Sequence, residues 1–314
     1  MNVSPAETQS DVASIDETFW TNDNADKQTP DLIEKLEQRA HTGVPMLRFK
    51  LRRANLAGLN LVNPGSHTGF TLSHSDLYRA DLSGGHFFNT NFSDSSLMKA
   101  NFNGANLHCA NFSNCNLLGT NFENTKLENV SWDKELLQEK LAKRARTVKE
   151  KNDYYQQAEE VYRHLRKVTE SQGLFETAGV FFQREMVMRR YQMPKYSFDR
   201  CISKMVDIFC GYGEQPFRVI VFSMLAICLF ATIYFFSGIT ESGELIRYYP
   251  HFSFYDNFIN FLRCSYFSVV TFTTLGYGDL APTGITRLFA ASEAFIGSFT
   301  LALFVVVFVK KMTR

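Results

Sequence analysis

The sequence has little of what several functional classes require. Lys and Arg number 33 against 32 Asp and Glu, a formal charge of +1. No basic excess points to nucleic acid as a partner. The 7 histidines are scattered, without nucleophile or metal-ligand spacing, so nothing supports an enzyme and no cofactor is expected. Cys109, Cys115, Cys201, Cys210, Cys228 and Cys264 show no paired metal spacing. They read as free thiols, mostly buried, in a reducing compartment. Residues 1–29 are polar and acidic. They lack the apolar core of a secretory signal and read as a disordered acidic tail.

Hydropathy is distributed unevenly. The first two thirds are polar, and the last third is apolar and rich in Phe. Residues 219–236 carry no charge, and residues 288–309 carry one, Glu293. A helix needs about 20 apolar residues to cross a bilayer, with about 17 the lower limit, so both read as membrane spans within residues 217–314. A shorter apolar run, 258–273, lies between them. It is too short to span and reads as a re-entrant helix, whose C-terminal dipole end would face a cation. Lys195, Arg200, Lys204 and Arg218 precede the first span, and Lys310, Lys311 and Arg314 follow the second. The intervening loop is acidic, with Glu241, Glu244 and Asp256 against Arg247. This asymmetry predicts both termini in the cytoplasm of a plasma-membrane protein that crosses the bilayer twice.

The short run ends at Thr273-Thr274-Leu275-Gly276-Tyr277-Gly278-Asp279. Gly276 and Gly278 can take positive φ, so successive carbonyls can face one axis instead of alternating as in a strand. The Thr274 hydroxyl can add a further oxygen at the inner end. A second Gly-Tyr-Gly, at 211–213, lies outside any span and reads as a turn before the first span. Context, not the tripeptide, separates the two copies.

The stretch Thr271 to Asp279, with its flanks, resembles the signature of potassium channels, with Leu275 where valine is commoner. Residues 217–314 resemble the two-span potassium-channel pore. The resemblance implies a homotetramer, with rings of oxygens replacing the hydration shell of K⁺, the arrangement for which potassium-channel filters are the standard instance. Carbonyls of Thr274, Leu275, Gly276 and Tyr277 and the Thr274 hydroxyl would bind K⁺ within a filter over 274–278. Asp279 would stand at the outer mouth, and Thr273 would support the filter. The only cofactor-like species implied is the permeant K⁺. Gly297 falls where the family often has a hinge, with close helix packing the alternative.

Glu293 is the ionisable group inside the second span, a functional position by default. It lies roughly 7–8 Å in from the outer end by helix rise, so a hydrogen bond to the pore helix or filter region is expected over ion binding. Further along, Phe304 or Phe308 forms a ring that gates by dewetting, or packs against lipid or a neighbour. No Arg-rich helix is seen, so no voltage sensor of the usual kind is expected. The chain ends shortly after the second span, so control is expected to come through the N-terminal residues.

Before the pore the chain repeats every five residues. Apolar centres fall at Leu51, Leu56 and Leu61, then run without a slip from Leu72 to Trp132. One extra residue is taken to shift the phase near Pro64-Gly65. Small residues recur two positions before each centre, as at Ala80, Ala100 and Ala110. A period of five fits neither helix nor simple strand. The block at 44–132 resembles the pentapeptide-repeat family, which implies a right-handed quadrilateral β-helix of about four coils. A helix at 30–43 and the segment after Trp132 are the expected caps. Charge across the block is balanced, which argues against the DNA mimicry of some family members. A scaffold or assembly surface and a sensor biasing the gate both remain open, as does the identity of any cytoplasmic regulator.

Residues 133–192 read as a helical hairpin, one helix from Asp133 to about Thr169 and a second from Leu174 to Tyr191. Lys140, Lys143, Arg144, Arg146, Lys149 and Lys151 read as a solvated face, with contact to anionic lipid or nucleic acid the alternative. Residues 193–216 hold an amphipathic stretch that reads as an interfacial helix, or one packed on protein. The whole is a multidomain chain: β-helix, helical hairpin connector, and an all-α two-span membrane pore. Two functions are compatible with it. One is a potassium-selective channel regulated or assembled by its repeats. The other is a membrane-anchored interaction scaffold with a weakly conducting or non-selective pore.

Overall fold

The computed structural model describes residues 17–23, 27–65 and 68–313. The chain divides into two units, Met1–Ser197 and Phe198–Arg314. Each has its own core.

The first unit opens with α1 (Glu17–Thr21) and α2 (Leu32–His41). The expected disordered tail is corrected here for residues 17–23. Trp20 is fully buried and stacks on Phe49 with ring centroids 5.1 Å apart. One large indole against the end of the coil outweighs the polar composition around it. Residues 1–16 and 24–26 lie outside the described residues.

Strands β1 (Met46–Leu47) and β2 (Leu72–Ser73) pair in parallel and begin a ladder of single bridges that continues to Asn111↔Ser131. Bridged residues are 20 apart from Thr71↔Asn91 onward, so four pentapeptides make a coil. Before that they are 26 apart, as in Lys50↔Asp76. The phase slip is therefore corrected: the chain makes a six-residue excursion between Leu61 and Phe70, not a one-residue shift. The same offset makes Met46, 1% exposed, the first inward centre. It lies in phase with Leu51, five residues on, but Val44, two positions before it, is not one of the small residues that mark a centre.

Each coil turns at corners where the residue two after a centre has positive φ, as in Arg53, Arg79, Asn89 and Gly84. The chain closes most corners with a hydrogen bond such as Ala54 N to Leu51 O, 3.3 Å, whereas Ser75 N donates to Ser95 Oγ at 3.0 Å. Positive φ at the third position is the type II turn requirement, best met by Gly or Asn. The many Asn and Gly at these places have this cause. Inside, Phe92 and Phe112 stack at 5.4 Å, Phe112 and Trp132 at 5.4 Å, and Phe102 and Phe122 at 5.6 Å. Outside these, Asn side chains form their own ladder: Asn121 donates to Asn101, and Asn101 to Asp81, at 3.1 and 3.0 Å.

Coil edges would expose unpaired backbone groups, and side chains from the caps satisfy some of them. Glu37 of α2 accepts from Asn60 N at 2.8 Å, and Gln172 accepts from Leu127 N at 3.1 Å. The helices after Trp132 are α3 (Leu137–Arg144), α4 (Val148–Ser171) and α5 (Phe175–Gln192). The single helix expected from Asp133 is corrected: it breaks at Ala145–Thr147. Thr147 caps α4 in a reciprocal capping box with Glu150, a signature visible in the sequence as Thr-x-x-Glu. Glu185 of α5 joins Arg163 and Arg166 of α4 at 3.1 and 2.8 Å.

Cys115, Cys210 and Cys264 are buried, while Cys201 and Cys228 are exposed, fewer buried thiols than expected. Burial pushes the Cys115 thiol up to about 12, so it stays protonated and inert.

His164 on α4 lies against Phe122, with its Nε2 buried and unpartnered. Burial lowers its pKa, and Lys167 adds to this while Glu123 and Glu160 oppose it. An unfolded chain therefore takes up this proton first as pH falls. The stability that neutral His164 contributes is complete above about pH 6.5, the unfolded value, and is lost below it. The melting temperature of the repeat unit is expected to fall as the pH drops below about 6.5. His164→Gln should flatten that part of the slope, and an unchanged slope would contradict the assignment.

The second unit contains α6 (Phe198–Cys210), a short turn at Gly211–Gly213, α7 (Pro216–Ser237), β3 (Ile239–Glu241), β4 (Glu244–Ile246), α8 (Phe254–Phe272), β5 (Leu280–Pro282) and α9 (Thr286–Met312). Helices α7 and α9 are long and apolar enough to cross a membrane. Pro216 starts α7, where a missing N–H costs nothing. The antiparallel sheet β4-β3-β5 joins the loop after α7 to the chain before α9. Helix α8 begins four residues earlier than expected, because Ser253 caps it by accepting from Tyr255 N at 3.3 Å. Phe198, Ile202, Met205 and Ile208 on α6 are exposed. Lys310, near the end of α9, pairs with Glu214 at 2.6 Å.

Candidate functional site

The ending of α8 sets the backbone of the conducting candidate. Thr274 N donates to Thr271 O and Leu275 N donates to Val270 O, each at 3.0 Å. These are the two bonds of a Schellman ending, which demands a left-handed residue after the cap. That residue is Thr274, with φ 59°. A β-branched residue there is a genuine outlier, costing on the order of 1–3 kcal/mol. Glycine would be the ordinary choice, so the strain was not foreseen.

Positive φ then recurs at Gly276 (60°) and Gly278 (80°), while Leu275 and Tyr277 lie outside the positive-φ region. Alternation of this kind turns successive carbonyls to one side. The other Gly-Tyr-Gly is different: Gly211, Tyr212 and Gly213 have φ of 55°, 56° and 82° in succession, and make a one-turn connection between α6 and α7. The same three residue types therefore give two backbones.

Residues 274–279 are exposed in the single chain, with Leu275 58% and Tyr277 69% accessible. The Thr274 hydroxyl donates to Thr273 O at 2.7 Å, and the Thr273 hydroxyl turns back to Val269 O at 2.7 Å. Asp279 accepts from the Tyr266 hydroxyl of α8 at 2.9 Å, a partner the sequence did not single out.

Glu293 is fully buried. Its Oε2 accepts from the Tyr234 hydroxyl of α7 at 2.5 Å, and its Oε1 lies 2.5 Å from Ser268 Oγ of α8. Ser268 Oγ is also 2.9 Å from the Ile227 carbonyl of α7. One carboxyl group thus gathers three helices. Neither Tyr234 nor Ser268 was legible, because a hydroxyl within an apolar helix carries no periodic signal.

Gly297 sits one turn further along α9. A Cβ built there would lie 2.0 Å from the Phe272 carbonyl oxygen at the end of α8. Its missing side chain permits a close helix approach, and α9 continues as one helix through this point. Phe304 and Phe308 stack with centroids 5.6 Å apart, but their surroundings differ. Phe304 packs on Cys210, Val219 and Val307, whereas Phe308 is 44% exposed.

Residues 219–314 match a family model described as an ion channel. The chain carries an ion-channel domain. Residues 95–131 match pentapeptide repeats in 8 copies, so this is a membrane protein that joins a pentapeptide-repeat domain to the channel domain. Neither family is one of enzymes. Among solved structures, a pentapeptide repeat protein from Nostoc PCC 7120 is 21% identical over 34% of this chain and 97% of its own, with a TM-score of 0.21. One from the thylakoid lumen of Arabidopsis thaliana is 18% identical over 32% and 74%, at 0.18. A third, from Cyanothece 51142, is 27% identical over 29% and 85%, at 0.14. The coil itself is defined by this chain's own 20-residue ladder. No curated protein matches the chain.

Proposed function

We propose that the protein is a potassium-selective channel in which four copies meet at residues 274–278. The alternating positive φ at Thr274, Gly276 and Gly278, on an exposed segment between two membrane-length helices, carries this reading. Carbonyls of Thr274, Leu275, Gly276 and Tyr277 and the Thr274 hydroxyl oxygen would replace the hydration shell of K⁺. The segment's exposure in one chain calls for other copies to cover it. Helix α8, re-entrant in this reading, points its C-terminal dipole end at the ion path. Asp279, held by Tyr266, stands at the outer mouth.

Basic residues at Lys195, Arg200, Lys204, Arg218, Lys310 and Lys311 support a plasma-membrane protein with both termini and the repeats in the cytoplasm. The exposed apolar residues of α6 suit a helix lying in the inner interface. Phe308 is the better gate candidate, since Phe304 is packed within its own chain. The repeats serve assembly or regulation through a cytoplasmic signal. Cation uptake by liposomes holding the purified full chain tests the reading. Uptake of K⁺ over Na⁺ is expected, and equal uptake would instead support a non-selective pore on a scaffold.

A further inference from the structure

We propose that Tyr234 and Ser268 are positioning residues for the conducting segment, acting through Glu293; the inference rests on the channel reading above. Ser268 and Phe272 are one turn apart on α8, and Glu293 and Gly297 are one turn apart on α9. Ser268 Oγ meets the Glu293 carboxyl group at 2.5 Å. Phe272 O closes on Gly297 so tightly that no side chain fits. The two helices are therefore fixed to one another at two successive turns. Tyr234, from α7, holds the far oxygen of Glu293 at 2.5 Å, which sets the carboxyl plane for Ser268.

The contact matters because no flexible linker separates Phe272 from the conducting segment. Thr273 is the helix cap, and Thr274 is the strained left-handed residue whose N–H is bound to Thr271 O. Leu275 N is bound to Val270 O, two residues after Ser268. A shift of α8 at Ser268 passes directly into the backbone of 273–275, where carbonyl direction is set. A carboxyl group is a costly choice for a buried site between membrane helices, because removing it from water must be matched by polar partners. An apolar side chain would fill the space without them. Hydroxyl partners on two helices give what packing alone does not, a directional hold on the rotation of α8 against α9.

None of the three side chains touches the ion path, so their effect is on ion discrimination through α8. The test uses the full chain with Tyr234→Phe, Ser268→Ala, Glu293→Gln and the double variant Ser268→Ala/Glu293→Gln. Two quantities are read: the ratio of K⁺ to Na⁺ uptake in liposomes, and the melting temperature of the detergent-solubilised assembly. Each single substitution is expected to lower the uptake ratio about fivefold, the size that one lost hydrogen bond carries. Ser268→Ala is expected to change the ratio no further once Glu293 is Gln, because both act at one contact. Tyr234→Phe, which leaves the ring in place, keeps the test open if a harsher variant does not assemble. Variants that melt earlier yet keep the wild-type ratio would reduce the cluster to structural support and overturn the proposal. A full Ser268→Ala effect persisting beside Glu293→Gln would overturn it as well. A wild-type chain that fails to favour K⁺ would instead overturn the channel reading, and this inference with it.

Discussion

Gly297→Ala is expected to abolish assembly of the channel domain, or to leave assemblies that no longer discriminate among cations. The added methyl carbon would stand 2.0 Å from Phe272 O and 2.8 Å from its carbonyl carbon, where ordinary contact begins at 3.4 Å. Both are backbone atoms at a helix end already held by the Thr274 and Leu275 hydrogen bonds, so they cannot swing aside as a flexible side chain would. Helix α9 must back away instead, and Glu293, one turn earlier, would lose Ser268 in the same movement. Overpacking typically costs about 1–3 kcal/mol and occasionally more; a backbone clash coupled to a buried carboxyl group belongs at or above the upper end. Size-exclusion yield in detergent and K⁺ uptake check this, with the exposed Ser298→Ala as comparison. Wild-type yield and uptake for Gly297→Ala would mean that α9 is not pressed against α8 here.

Phe102→Ala carries the largest stability effect expected in the repeat domain. The ring is fully buried, and its centroid is 5.6–5.9 Å from those of Phe87, Phe92, Phe112 and Phe122. Removing it empties one rung of a column that cannot collapse, since the coil spacing is fixed by backbone bridges above and below. Phe→Ala in a core costs about 3–5 kcal/mol. For a unit of this size that lowers the melting temperature by on the order of 10 °C. The exposed Lys126→Ala should stay within about 0.5 kcal/mol of the wild type. A Phe102→Ala loss no larger than that of Lys126→Ala would show that the aromatic column contributes little.

The sequence revealed most where one physical requirement repeats. A period of five from Leu72 to Trp132 permits few folds, and uncharged runs long enough to span a bilayer are equally restrictive. Gly276 and Gly278 disclosed their backbone because only glycine takes positive φ freely. Features that depend on a single contact stayed hidden. Trp20 anchors a segment whose composition reads as unstructured, and Met46, though in phase with Leu51, goes unmarked because Val44 before it is not a small residue. The left-handed Thr274 ran against its own propensity, because the helix ending imposed what the side chain resists. Glu293 drew notice by its charge, but Tyr234 and Ser268 did not, since their meeting is a tertiary fact. The Thr147–Glu150 capping box was different. Its signature was present in the sequence and overlooked beneath a continuous helical pattern.

Cation conduction through residues 274–278 is the central claim. Paired uptake of K⁺ and Na⁺ into liposomes holding the purified full chain, under equal gradients, tests it most directly. K⁺ uptake is predicted to exceed that of Na⁺ at least about tenfold, a difference of about 1.4 kcal/mol in barrier. Equal uptake of the two ions would contradict the claim, because a ring of oriented carbonyls at Thr274, Leu275, Gly276 and Tyr277 would then confer no preference.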